Sequence, residues 1–482
     1  MSELPAPSPR LVAAYDAERF RADGHQVVDA LADHLAAATS GGPGPVLPWQ
    51  PPTAAIAAWP DDFTDEPGPA LPATLAATMA GSIRLHHPRV LGHQVAPPVP
   101  GAVLADAVAA LLNNGMAVYE MGGVASPHEL AVIAWMARTL GLPGGAGGLL
   151  TSGGSLGNLT ALLAARQARA GHDAWTDGDA GHPPPAVLVA ATAHYSIDRA
   201  VRILGWGAGG AVAVAVDGDH RLDPADLPRA LAAARAAGRA PIAVVASAGS
   251  TATGAYDPLP AVADFCAATG LWLHVDGAHG ASAALAPRHA HLVDGIGRAD
   301  SVVWDAHKLL AMPALCTAVL YRDGEHAYGA FAQEASYLFA PERQWWNLGL
   351  RTLECTKRMM GTILYASLRA YGVGFFRDYV ERVFALGAAL AARVDDAADF
   401  ELAVSPSANI VCFRYRPAGA PPPGPALDAL QARVRATCRD RGVYYFVDTQ
   451  LAGARWLRTA IMNPLTTGAD LDGLLAAIRA AG

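Results

Sequence analysis

The sequence predicts an α/β protein in which a mostly parallel sheet, covered by helices, is followed by a smaller α+β domain. Three observations point to this. Six short apolar runs, AVLVAATA (186–193), GAVAVAV (210–216), PIAVVASAG (241–249), LWLHVDG (271–277), DSVVWDA (300–306) and CTAVLYR (316–322), are continuous rather than alternating. Strands buried on both faces read in this way. Ala-rich helical stretches such as ADLPRALAAARAAG lie between many of the runs, and strand–helix alternation is the pattern of a parallel sheet. Beyond residue 372 the pattern changes to FELAVSPSANIVCFRYRP, a helix ALDALQARVRATCRDRG, then VYYFVDT and RWLRTAIMN, which suits a small α+β unit.

Taken in order, RLVAAYDAERFRADGHQVVDALADHLAAATS (10–40) places apolar residues at three- and four-residue spacing, the period of a helix. The Pro- and Gly-rich stretch 41–72 reads as connecting chain. A helix, the turn GLPGGAGG and the strand–helix repeats follow, and a long helical stretch is expected over 347–372. The expected organisation is an N-terminal helical segment (1–85), a large α/β domain (86–372) and a small C-terminal α+β domain (373–482).

Composition narrows the function. Apolar residues make up 52% of the 482-residue chain, so a large buried core is expected. No apolar segment is long and unbroken enough for a transmembrane helix, and the start MSELPAPSPR lacks the form of a secretory signal. A cytoplasmic protein without membrane partners is expected. The net charge of −8, with basic residues scattered, disfavours nucleic-acid binding. Cys266, Cys316, Cys355, Cys412 and Cys438 form no CxxC pair, so no metal site is expected.

The polar residues that could do chemistry fall at the carboxyl ends of the expected strands, where open α/β sheets bind ligands. TSGGSLGNLTALLAAR, from Thr151, sets Gly154 and Ser155 at the opening of an apolar helix. Free backbone N–H groups there suit a phosphate, although a purely structural turn would read the same. His194 in ATAHYSIDRA and Thr251 in SAGSTATGAYDP each follow a strand, and a packing role is open for both. Asp276 ends the apolar run WLHVDG, a costly place for a carboxylate unless a cation or donors satisfy it. Lys308 closes DAHK and is one of only two lysines in a chain with 35 Lys plus Arg. A partly desolvated lysine amine is a nucleophile, which arginine cannot be. A lysine nucleophile, a carboxylate on a neighbouring strand, a histidine to stack on a ring and a phosphate cradle are together the parts that pyridoxal 5′-phosphate requires.

With these four motifs in this order, the sequence resembles the group II pyridoxal-phosphate-dependent amino acid decarboxylases, from about HHPRVLGHQ (86–94) to NPLTT (463–467). This family includes the glutamate, aromatic-L-amino-acid, cysteine-sulfinate and diaminobutyrate decarboxylases. The resemblance implies the fold type I of pyridoxal-phosphate enzymes (aspartate aminotransferase-like) with a seven-stranded sheet, and a homodimer with its site at the interface. It also implies residue roles. Lys308 would hold the cofactor as a Schiff base, Asp276 would pair with the pyridine nitrogen, and His194 would stack on the ring above Ala278. Gly154, Ser155 and Thr251 would surround the phosphate with Asp305 nearby, and His307 would contact the phosphate or the substrate carboxylate. Tyr337, in QEASYLFAPERQWW, would be the proton donor.

Substrate candidates are Gln94, His279 and Arg458, with Trp345 and Trp346 as further lining. Leu309, Gly277 and His279 depart from the common family pattern, which bears on substrate identity more than on the cofactor. HHPRVLGHQ and NLGLRTLECTKR resemble the non-aromatic side of the family. The expected reaction is decarboxylation of a non-aromatic L-amino acid to its amine and CO2. Oxidative decarboxylation–deamination to an aldehyde on the same scaffold and a non-catalytic pyridoxal-phosphate-binding protein are the alternatives.

Overall fold

The computed structural model describes residues 4–42, 44–331 and 344–482. Its larger sheet contains β1 (Gly147–Thr151), β2 (Pro185–Ala190), β3 (Ala211–Val214), β4 (Ala240–Ser247), β5 (Trp272–Asp276), β6 (Ser301–Asp305) and β7 (Thr317–Tyr321). Their order is β1-β7-β6-β5-β4-β2-β3. The pairs from β3 through β6 are parallel, and β7 is antiparallel to both β6 and β1. All strands except β7 therefore point the same way, and their carboxyl ends share one edge. Register sets Ser247 beside Asp276, and Asp305 beside Thr317, which pairs in turn with Thr151.

Six of these strands coincide with the apolar runs of the sequence; β1 does not. It is short, and it opens with two glycines because β7 lies too close for side chains. A Cβ on Gly148 would stand 2.2 Å from the carbonyl oxygen of Val319. That steric need makes the strand look like a turn in the sequence.

The open edge of β1 is closed by side chains. Leu150 N–H donates to Glu129 Oε1 (2.9 Å), and Lys357 Nζ donates to both the Leu150 carbonyl (2.6 Å) and Glu129 Oε1 (2.5 Å). An edge strand otherwise presents unpaired backbone groups. Here both outward groups of Leu150 are met by one buried ion pair.

The expected helix over 347–372 is instead a short 3-10 turn, Leu348–Arg351, followed by a helix Met360–Asp395 that bends at Gly372 (φ 70°, ψ 161°). It packs on the helices Pro100–Leu112 and Ala125–Thr139 and on the small sheet, whose core takes in Leu386, Leu390 and Val394. That sheet holds β8 (Phe400–Leu402), β9 (Ile410–Tyr415), β10 (Val447–Leu451) and β11 (Ala454–Ala460), all antiparallel in the order β10-β11-β9-β8. Leu427, Leu430 and Val434 of the helix Pro425–Arg441 join Phe413 and Leu457 in its core. So do Leu471, Leu474 and Ile478 of a terminal helix, Gly468–Arg479, which starts with a Thr467/Asp470 capping box.

At the N-terminus, the helix Ala17–Thr39 packs on Leu71–Gly81. The stretch expected to be connecting chain also contains a short helix, Pro52–Ala57. Both it and Leu71–Gly81 have proline in the first turn, where a missing N–H costs nothing. Ala17–Thr39 buries only Ala38 and leaves Phe20, Val28 and Leu31 exposed. Among the described residues no helix is long and apolar enough to cross a membrane.

Candidate active site

The carboxyl ends of β1, β4, β5 and β6 surround a cavity of about 410 Å³. From β6 come Asp305 and the turn that follows it. Lys308 Nζ stands 3.2 Å from Asp305 Oδ2, and Thr317 Oγ1 donates to Asp305 Oδ1 at 2.6 Å. His307 sets Nε2 3.5 Å from the same Asp305 Oδ2, and its Nδ1 lies against the Cys316 backbone. Leu309, Leu310, Ala311 and Met312 are buried, so the backbone of the lysine is anchored in the core while its amine faces the cavity.

Asp276 ends β5. Its Oδ2 accepts from Asn158 Nδ2 (3.0 Å) and its Oδ1 from Ala278 N–H (3.2 Å). No cation pairs with this carboxylate among the described residues. His194 precedes the helix Ser196–Ile203, with Nδ1 2.8 Å from Ser196 Oγ, and burial holds its pKa below the usual histidine range. A neutral imidazole follows at neutral pH.

Opposite them, Ser152, Gly153, Gly154 and Ser155 open the helix Gly154–Arg169. The approach of β6 leaves no room there: a Cβ on Gly154 would lie 3.1 Å from Asp305 Oδ2 and 3.4 Å from the Ala278 methyl. Glu354 grips this turn from outside the sheet, accepting from Thr151 Oγ1 at 2.7 Å and from Ser152 Oγ. Ser247, Gly249, Ser250 and Thr251 form the remaining wall.

Ten of the residues singled out from the sequence thus line one cavity: Gly154, Ser155, His194, Thr251, Asp276, Ala278, His279, Asp305, His307 and Lys308. His279 is nevertheless committed elsewhere. Its Nε2–H donates to Asn409 Oδ1 (2.8 Å) in the small domain, and burial pushes its pKa down to about 3. Gln94 and Arg458 are not in the wall. Arg458 Nε donates to the Ala252 carbonyl (3.2 Å), but Arg458 Nη2 and Gln94 Nε2 are buried donors without acceptors among the described residues. Trp345 and Trp346 are exposed, and Tyr337 lies outside the described residues. Sequence reasoning missed Asn158, although an amide one turn after Gly154 in an otherwise apolar helix was a visible signal.

The donor set fits a phosphorylated pyridine aldehyde. An amine and an unpaired carboxylate face one cavity from adjacent strands, and a helix start lined with hydroxyls and glycines lies across from them. A cationic ring nitrogen is the partner that Asp276 lacks.

Known proteins resemble the chain in sequence and fold. The pyridoxal-dependent decarboxylase conserved domain matches residues 73–416. Cysteine sulfinic acid decarboxylase of Rattus norvegicus is 32% identical over 413 residues, 83% of each chain. L-2,4-diaminobutyrate decarboxylase of Rhizobium meliloti (strain 1021) is 32% identical over 424 residues, 86% of this chain and 83% of that protein. The crystal structure of mouse CSAD superposes with a TM-score of 0.88 at 28% identity, over 96% of this chain and 99% of that one. The fold is type I, the cofactor is pyridoxal 5′-phosphate, and the reaction is decarboxylation of an amino acid. A domain match over most of the length, with relatives aligned nearly end to end, leaves one assignment: the chain belongs to the pyridoxal-dependent decarboxylase family.

Proposed function

We propose that this cavity decarboxylates a non-aromatic L-amino acid to its amine and CO2, in a cytoplasmic homodimer. The observation that carries the site assignment is the pairing of Lys308 and Asp276, an amine and a carboxylate without a cation, at the ends of neighbouring strands. When bound, pyridoxal phosphate supplies the electron sink for the bond to the departing carboxylate. Lys308 is the residue that tethers it. Asp305, 3.2 Å away, would hold the Lys308 amine in place beside the cofactor and keep it available to carry a proton. Asp276 would keep a proton on the ring nitrogen, and His194 and Ala278 would pack on the ring. Gly154, Ser155 and Thr251 bind the phosphate, with His307 at the phosphate or the substrate carboxylate. Tyr337 is assigned the proton donor to the substrate carbon, as a positioned general acid.

Substrate selection is assigned to Gln94, His279 and Arg458. Gln94 Nε2 and Arg458 Nη2 are buried donors without acceptors among the described residues, though neither residue lines the cavity. The cysteine-sulfinate and diaminobutyrate relatives support a non-aromatic substrate. We assign residues 1–85 to the partner contact, 86–372 to the cofactor domain and 373–482 to the small domain. The bend at Gly372 supports that last boundary. The apolar face of Ala17–Thr39, with exposed Leu111 and Leu112 on Pro100–Leu112, supports burial against a second copy.

The test is a substrate panel of common amino acids plus cysteine sulfinate and diaminobutyrate. It reads CO2, amine, ammonia and peroxide in a preparation whose light-scattering mass is expected to be that of two chains. CO2 and amine in equal amounts from a non-aromatic substrate are expected. Stoichiometric ammonia and peroxide, turnover of aromatic substrates alone, or full activity at the mass of one chain would each contradict its part of the proposal.

A further inference from the structure

We propose that Asn158 is a positioning residue that couples the carboxylate of Asp276 to the imidazole of His194, and that His274, itself held by Ser301, keeps its amide facing one way. The inference rests on the roles proposed above for Asp276 and His194.

The directions follow from the acceptor at one end. An ionised carboxylate only accepts, so the Asn158 atom 3.0 Å from Asp276 Oδ2 must be the amide nitrogen. The amide oxygen is then turned to His274 Nε2, also at 3.0 Å, and that nitrogen must hold a hydrogen. His274 is fully buried, and burial pushes its pKa down to about 4. It therefore has a single ring hydrogen at neutral pH, and Nδ1 is left as an acceptor. Ser301 Oγ–H, 2.9 Å away, donates to it, which frees the serine lone pairs for Trp272 Nε1–H at 2.8 Å. Indole can only donate, and the serine oxygen accepts it while donating its own hydrogen to His274; the direction itself is set from the Asp276 end.

The second amide hydrogen of Asn158 goes the other way, to Ser196 Oγ at 2.9 Å. The Ser196 hydroxyl in turn donates to His194 Nδ1 at 2.8 Å, which places the His194 ring hydrogen on Nε2. One amide thus links the carboxylate assigned to the ring nitrogen with the imidazole assigned to the ring face. Turning the amide over would set its oxygen against Asp276 and its NH2 against the N–H of His274, two repulsions together. Asn158, Ser196, His274, Ser301 and Trp272 are all at most 1% exposed, so solvent does not replace a lost partner. Polar networks of this kind hold one geometry when every member is satisfied.

The test compares His274→Gln with His274→Leu. Glutamine keeps the pattern, donating through its nitrogen to Asn158 Oδ1 and accepting from Ser301 through its oxygen; leucine keeps only bulk. The readouts are the pyridoxal-phosphate dissociation constant on reconstitution of the apoenzyme and the pH response of the visible band of the holoenzyme. His274→Leu and Asn158→Leu are expected to weaken cofactor binding by about tenfold or more and to move the pH response, with His274→Gln within about threefold of the parent. Should His274→Leu not fold, Ser301→Ala removes one oxygen, frees the His274 tautomer and is expected to move the pH response in the same direction. Equal affinity and spectra for the glutamine and leucine variants, or a parental pH response in Ser301→Ala, would overturn the coupling. Asp276→Asn separates the two levels. If it leaves affinity and spectrum unchanged, the role proposed for Asp276 fails. If it changes both while Asn158→Leu changes neither, only the coupling fails.

Discussion

Lys308 and Lys357 are the only lysines in the chain, and each sits where arginine cannot serve, for different reasons. In the role proposed for it, Lys308 needs an amine that can lose its proton and form a covalent bond, a property legible from the residue type and the motif around it. Lys357 was opaque in sequence because its partner is remote: Glu129 is 228 positions away. Its ammonium fills a compact site between Glu129 Oε1 and the Leu150 carbonyl, with both side chains 1% exposed. A planar guanidinium is bulkier than the ammonium that fits this compact site. Removing one partner of a buried pair leaves the other charge uncompensated. Lys357→Met is therefore expected to destabilise the protein by roughly 3–5 kcal/mol, read by denaturant unfolding. The double variant Lys357→Met/Glu129→Leu is expected to recover part of that loss, and a single variant as stable as the parent would refute the clamp.

At the scale of elements, the legible parts were those whose local chemistry and tertiary setting agree. β2 and β4 to β6 are buried along nearly their whole length, and each appeared as an apolar run. β1 did not, because close contact with β7 demands glycine where a strand would show a side chain. The start of the long helix was misplaced by more than three turns, from 347 to Met360, since 351–357 forms instead a strap along the open edge of β1. There Arg351 Nη1 reaches the Gly148 carbonyl (3.4 Å), Glu354 holds Thr151 (2.7 Å) and Lys357 holds Leu150 (2.6 Å). Contacts between segments some 200 positions apart leave no periodic trace. The site residues at strand ends were found because they are polar breaks in apolar runs. Asn158 was missed because its partners, Asp276 and His274, lie on another element.

Across the whole molecule, burial of neutral histidines sets the response to acid. His274 and His279 have pKa values pushed down to about 4 and about 3 by burial, from an ordinary 6.5. Their stabilising effect is complete above 6.5 and is lost as pH falls through the folded values. Asp257, buried behind the cavity and accepting from the N–H groups of Leu222 and Ser247, is pushed up to about 6 from 3.8. Its effect has the opposite sign, present below 3.8 and lost as pH rises through 6. Between pH 6 and 4 these two histidines carry about two protons in the unfolded chain and none in the folded one, while Asp257 carries about one in the folded chain only. One net proton gives a fall in stability on the order of 1.4 kcal/mol per pH unit on acidification. His279→Asn is expected to reduce the slope by about one proton, on the order of 1.4 kcal/mol per pH unit, measured as the urea midpoint of the apoprotein against pH. An unchanged slope would show that other groups dominate.

The assignment of the cavity has one direct test, made clean by a chain with two lysines. Holoenzyme reduced with borohydride, which fixes a Schiff base as a stable secondary amine, is digested and mapped by mass spectrometry. The pyridoxyl phosphate mass is expected on the peptide containing Lys308 and nowhere else. Modification of Lys357, or a holoenzyme that yields no modified lysine, would contradict the placement of the cofactor in this cavity.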